Sequence, residues 1–102
     1  MSEGELQCPA RFVVCSDLVD SRVLSALAVE RVAATWSYGP GPGARVDERL
    51  ADADQVIAVL DELADQFRGE CVVVALPEQV IAARSAELAE SRADRQVTVL
   101  GD

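Results

Sequence analysis

Two runs of aliphatic residues, Arg11-Phe12-Val13-Val14-Cys15 and Cys71-Val72-Val73-Val74-Ala75-Leu76, constrain this chain more than any other feature. Neither alternates apolar with polar residues, as a strand with one wet face would. Both read as strands covered on two sides, the pattern of a parallel sheet with helices against it. Ser16-Asp17 closes the first run and Pro77 the second. A third candidate, Gln96-Val97-Thr98-Val99-Leu100, does alternate, and its terminal position suggests a sheet edge.

Helical spacing fills the intervals. From Leu18 to Trp36, the residues Val19, Val23, Leu24, Leu27, Val32 and Trp36 recur every three or four positions, with Ser16 or Asp17 available as N-cap. That helix must stop before Ser37-Tyr38-Gly39-Pro40-Gly41-Pro42-Gly43, where alternating glycine and proline can neither continue a helix nor join a ladder, so an exposed, mobile loop is expected. A second helix runs from about Asp52 to Phe67, with Val56, Ile57, Leu60, Leu63, Ala64 and Phe67 on one face and Asp61, Glu62 and Asp65 on the other; Gly69 stops it. A third runs from Pro77 or Glu78 to about Arg92 on a stripe of Val80, Ile81, Arg84 and Leu88. The order strand, helix, loop, helix, strand, helix, strand implies an α/β fold: a small three-layer-like domain with a mostly parallel sheet of three to four strands and about three helices. Residues 1–10 form an N-terminal extension and residues 11–102 a single domain, a length that suits one hydrophobic core.

The basic residues narrow the chemistry. All nine are arginine, and there is no histidine. Ser-His-Asp triads, histidine zinc sites, Schiff-base lysines and the P-loop lysine are thereby removed. A net charge of −9 repels phosphate backbones and anionic headgroups, so nucleic acid and membrane are not expected partners, whereas basic proteins are favoured. No apolar run reaches the roughly 18 residues of a membrane span, and the acidic start Met1-Ser2-Glu3-Gly4-Glu5 is unlike a secretory signal, so a cytoplasmic location is expected. Cys8, Cys15 and Cys71 are odd in number and form no C-x-x-C pair. They read as free thiols, with Cys15 and Cys71 buried in the core.

Open α/β sheets place their sites after the strands, which makes Ser16, Asp17 and Asp20, with Arg22 close behind, the most site-like group; Tyr38, flanked by the Gly-Pro segment, is a candidate docking point. The more ordinary reading of Ser16, Asp17 and Asp20 is as helix caps or first-turn acids matched to the helix dipole. Cys15 and Arg22 invite comparison with a cysteine-dependent phosphatase loop, but six residues rather than five separate them, none is glycine, and two are acids. The pairs Asp52 with Asp54 and Asp61 with Asp65 have spacing for Mg²⁺ but fall on the solvated side of a helix. No residue is assigned to catalysis, to a cofactor or to a metal.

Three stretches carry a resemblance. Cys15-Ser16-Asp17-Leu18, running from a strand into an alanine-rich segment, Val46-Asp47-Glu48-Arg49-Leu50, and Leu60 through Val74 are similar, in that order, to the "SSPLxRAxxTA", "vdxrLxE" and pre-"SHG" segments of the histidine phosphatase superfamily, the phosphoglycerate-mutase-like fold. The match covers roughly residues 11 to 90. The family's "RHG" strand has no counterpart, its next arginine falls on Asp20, and its second catalytic histidine falls near Leu76-Pro77. The resemblance therefore implies a truncated relative without phosphoryl-transfer chemistry, whose sheet edge or apolar helix face is covered by a second copy, as a homodimer, or by a protein partner.

The expected function is a non-catalytic α/β protein acting through protein contacts, as an assembly component or regulator. Two alternatives stay open. One is a small enzyme or ligand-binding module at the carboxyl end of the first strand, which requires a concave pocket there with an arginine pointing in. The other is an acidic mimic or inhibitor of a nucleic-acid-binding protein, which requires carboxylates clustered on one face.

Overall fold

The computed structural model describes residues 9–18, 25, 31–41, 43–90 and 95–100. Five strands, β1 (Ala10–Cys15), β2 (Val32–Ser37), β3 (Arg45–Val46), β4 (Cys71–Ala75) and β5 (Arg95–Val99), form one sheet in the order β3-β2-β4-β1-β5. Every pairing is parallel. Three helices are described: α1 (Val56–Gln66), α2 (Glu78–Ala83) and α3 (Ser85–Ala89), with a 3-10 turn at Glu48–Ala51 before the first. The fold is α/β as the aliphatic runs imply, with one or two more strands than they announce.

β4 lies at the centre because nothing in it tolerates water: all of its residues are buried, and three consecutive valines suit a pleated surface covered on both sides. Its register with β1 sets Phe12 beside Val72 and Val14 beside Val74. Those side chains and Ala10 point to one face, where Val56, Val59, Leu60, Leu63 and Ala64 of α1, with Val80 and Leu88, complete the main core. The alternate residues Cys15, Val73 and Ala75 face the other way, with Val13, Leu18, Val32 and Leu100 against them. Period-two geometry thus divides two uniformly apolar strands between two layers. Cys15 and Cys71 are buried, as their aliphatic surroundings suggest; Cys8 lies outside the described residues.

Several element boundaries differ from the sequence reading. Trp36 does not end a helix: Val32–Ser37 is a strand, and Trp36 pairs with Val74 across the ladder. The residues Val32, Thr35 and Trp36 are β-branched or aromatic, and a register shift between Val32 and Ala34 lets Val32 and Trp36 face opposite layers, which mimics helical spacing in the sequence. Most of the preceding stretch, residues 19–24 and 26–30, lies outside the described residues. β3, at Arg45–Val46, is two residues long and gives way to the 3-10 turn, a short edge that offers little to pair with. α1 starts at Val56 rather than near Asp52, because the Asp52 carboxylate accepts from the Asp54 amide at 2.8 Å and bends the chain first. The third helix is broken at Arg84, whose Nε donates to the Ala53 carbonyl at 2.7 Å while Nη1 and Nη2 reach Glu87 and Asp54. β1 begins inside the expected extension, at Ala10, and β5 begins at Arg95, one residue early. Gly69, at φ 76°, turns the chain from α1 into β4 in a conformation that suits glycine.

Arg49 ties the 3-10 turn to α1. Its Nε and Nη2 donate to Asp47 at 3.1 and 2.8 Å, and its Nη1 and Nη2 donate to Glu62 at 2.9 and 3.0 Å. These hydrogen bonds from Arg49 hold the carboxyls of Asp47 and Glu62 below the usual carboxylate range, and the Gln55 amide and the Asp54 backbone do the same for Asp52. A depressed carboxyl stabilises the fold above its unfolded pKa, near ~4, and that contribution is lost as the pH falls through the folded value. The stability difference between the native chain and an Arg49→Gln variant is therefore largest at pH 6 to 7 and shrinks toward zero on acidification below the carboxylate range. Urea titrations over that range measure it, and a difference that stays constant down to pH 2.5 would show that the carboxylates are not coupled to Arg49.

Candidate functional site

The chain leaves β1 toward β2, on the far side of β4, and leaves β4 toward β5, on the far side of β1. Two neighbouring strands whose outgoing connections diverge leave a crevice at their carboxyl ends. The crevice is present. One lobe, of about 340 Å³, is lined by Ser16, Asp17 and Leu18 after β1, by Ser37 through Gly41 after β2, and by Ala75 of β4. A second lobe, of about 680 Å³, shares Ser16, Asp17 and Tyr38 and extends over Ala51, Pro77, Glu78 and Gln79.

Backbone hydrogen bonds past the strand ends fix the walls. Leu76 donates to the Cys15 carbonyl at 2.8 Å, Tyr38 to the Ala75 carbonyl at 3.3 Å, and Asp47 to the Ser37 carbonyl at 3.0 Å. Ser37 is buried, and its hydroxyl accepts from the Gly39 amide at 3.2 Å, which turns the chain sharply beneath Tyr38. Beyond it the Gly-Pro segment folds back toward β1: a Cβ on Gly41 would stand 3.0 Å from Leu18, so only glycine allows this approach without a shift. The segment is therefore half-buried at Gly39 and Gly41 and forms a wall of the first lobe. Tyr38 is 38% exposed, and Val46, the neighbour of Ser37 in the ladder, is 50% exposed; these two large apolar residues lie at the same end of the sheet.

Of the residues singled out from sequence, Ser16, Asp17 and Tyr38 come together here, whereas Asp20 and Arg22 lie outside the described residues. No described arginine lines either lobe. Arg49, Arg68, Arg84 and Arg95 are paired with acids elsewhere, and Arg45 lies 5.8 Å from the centre of the Trp36 ring. Ser37, Pro77, Glu78 and Gln79 were not singled out as site residues from sequence. Reading β2 as helix hid Ser37 from view, while Glu78 and Gln79 could have been found, since they follow a strand as directly as Asp17 does.

The acid pairs with Mg²⁺ spacing are otherwise engaged: Asp54 with Arg84, Asp61 with Arg95, Asp65 with Arg68. Among the described residues no three metal-ligating side chains converge. The crevice offers hydroxyls, two carboxylates, one amide and an exposed ring. Such a set can accept and donate hydrogen bonds to a neutral or cationic group, and its Asp17 and Glu78 disfavour an anion.

Fold and crevice together define an α/β protein of the open parallel-sheet class with a switch-point cleft. No family model, curated protein or solved structure matches the chain. Among the described residues no helix is long and apolar enough to cross a membrane.

Proposed function

We propose that this chain is a non-catalytic recognition module that holds a segment of another protein in the crevice at the carboxyl ends of β1, β2 and β4. The observation that carries this reading is the meeting of Ser16, Asp17 and Tyr38, from turns more than twenty residues apart, on both lobes of one cleft. The exposed pair Tyr38 and Val46 beside it supports a protein partner, because aromatic and aliphatic residues at a polar rim are the usual anchors of protein contacts. Absence of catalysis rests on the residues present. Cys15 and Cys71 are buried in the core, and Leu76 and Pro77, which stand near the place of the second catalytic histidine in the histidine phosphatase resemblance, are buried side chains without acid or base. On this reading the chain descends from such an enzyme and keeps its crevice while using it for contact.

Amide-shift mapping tests the proposal. A panel of short uncharged and charged peptides added to the ¹⁵N-labelled chain should move the amides of Ser16, Asp17, Tyr38, Glu78 and Gln79 together. Shifts confined to β5 or to the outer face of α1 would place recognition elsewhere and refute it.

A further inference from the structure

Resting on that reading, we propose that the crevice selects a basic segment: an extended peptide crosses both lobes and lays an arginine or lysine side chain over Tyr38 with its charged head toward Glu78. Shape argues for an extended occupant. The two lobes meet at Ser16, Asp17 and Tyr38 and run from the Gly-Pro wall on one side to Pro77, Glu78 and Gln79 on the other, so a compact molecule fills one lobe and only a chain crosses both.

Charge argues for a basic one. Asp17 and Glu78 line the larger lobe, no described arginine does, and the whole chain carries −9. Asp47, Asp54, Asp61, Glu62, Asp65 and Glu87 each hold an arginine of the chain; Glu78, like Glu48 and Glu70, holds none among the described residues, and of these three only Glu78 lines the crevice. A guanidinium supplied from outside would meet a carboxylate that the fold has left available, and the exposed face of Tyr38 adds a cation-π contact to its planar head. With no lysine or histidine in the chain, positive charge for this position has to come from arginine or from a partner.

The test uses the full chain and an acetylated, amidated peptide of alternating glycine and arginine, with a glycine-glutamate peptide and a glycine-serine peptide as comparisons. Binding of the arginine peptide should shift the amides of both lobes, weaken with added salt, and fall about three- to fivefold in Glu78→Gln, the effect of losing one solvent-exposed ion pair. Glu70→Gln removes the same charge at an exposed position before β4, away from the crevice, and should leave the affinity unchanged. Equal weakening in the two variants would mean diffuse attraction to an acidic surface and would overturn the proposal. Binding of the serine peptide as tightly as the arginine peptide would overturn the basic preference while leaving the recognition crevice standing. No shift at either lobe with any of the three would overturn both.

Discussion

Asp61→Ala lowers the unfolding free energy at pH 7 by about 3 to 5 kcal/mol, the largest loss expected for any charged residue described here. Arg95 is the reason. It opens β5 with a side chain that is 0% exposed, and the carboxylate of Asp61, half-exposed on α1, is the acid that meets its Nη1. Among the described residues its Nε and Nη2 groups have no hydrogen-bond partner. Removing Asp61 strands a buried guanidinium with nothing to offset its desolvation, which costs far more than the pair itself contributes. Arg95→Met removes the charge along with the demand for a partner, so it lowers stability much less or raises it. The double variant should recover most of the Asp61→Ala loss, a non-additivity that urea denaturation of the four proteins measures directly. A loss below ~1 kcal/mol in Asp61→Ala, the size for a surface pair, would mean that solvent reaches Arg95.

The sequence named Asp61 but not its partner, and the reason is instructive. Helical spacing puts Asp61 opposite Leu60 and Leu63, so its side of α1 reads as solvated. Where β5 passes beneath that helix is a tertiary fact, and Arg95 reads as a polar residue just ahead of an alternating strand. Runs such as Cys71–Leu76 were legible because burial on both faces leaves a one-dimensional signature. β2 was not, since the register shift between Val32 and Ala34 breaks its period of two and leaves apolar residues four apart. The same distinction governs the crevice. Ser16 and Asp17 could be placed at the crevice from position alone, because every parallel strand delivers its following turn to the same end of the sheet. Tyr38 was visible as a ring beside prolines, but its convergence on Ser16 and Asp17 needs the strand order β2-β4-β1, which local patterns do not encode.

Strand order also has an energetic expression that local patterns cannot anticipate. Phe12 and Val13 are adjacent in an unbroken apolar run, yet they serve different layers: Phe12 is 1% exposed in the main core, while Val13 is half-buried beside the smaller cluster of Cys15, Val73 and Ala75. Phe12→Ala removes a ring from between Val72 and the helical layer, where α1, α2 and α3 are held by separate connections and cannot all close on the gap. The expected loss is about 3 to 5 kcal/mol. Val13→Ala removes two methyl groups from a half-wet position, at about 1 kcal/mol. For a domain of this size, that difference separates a fall in melting temperature of more than about 12 °C from one of about 4 to 8 °C, well within reach of calorimetry. Equal losses would mean that both faces of β1 are equally covered, and the division of the sheet into a large and a small core would fall. A larger loss at Val13 would invert the register, since a shift by one residue exchanges every side chain between the two faces.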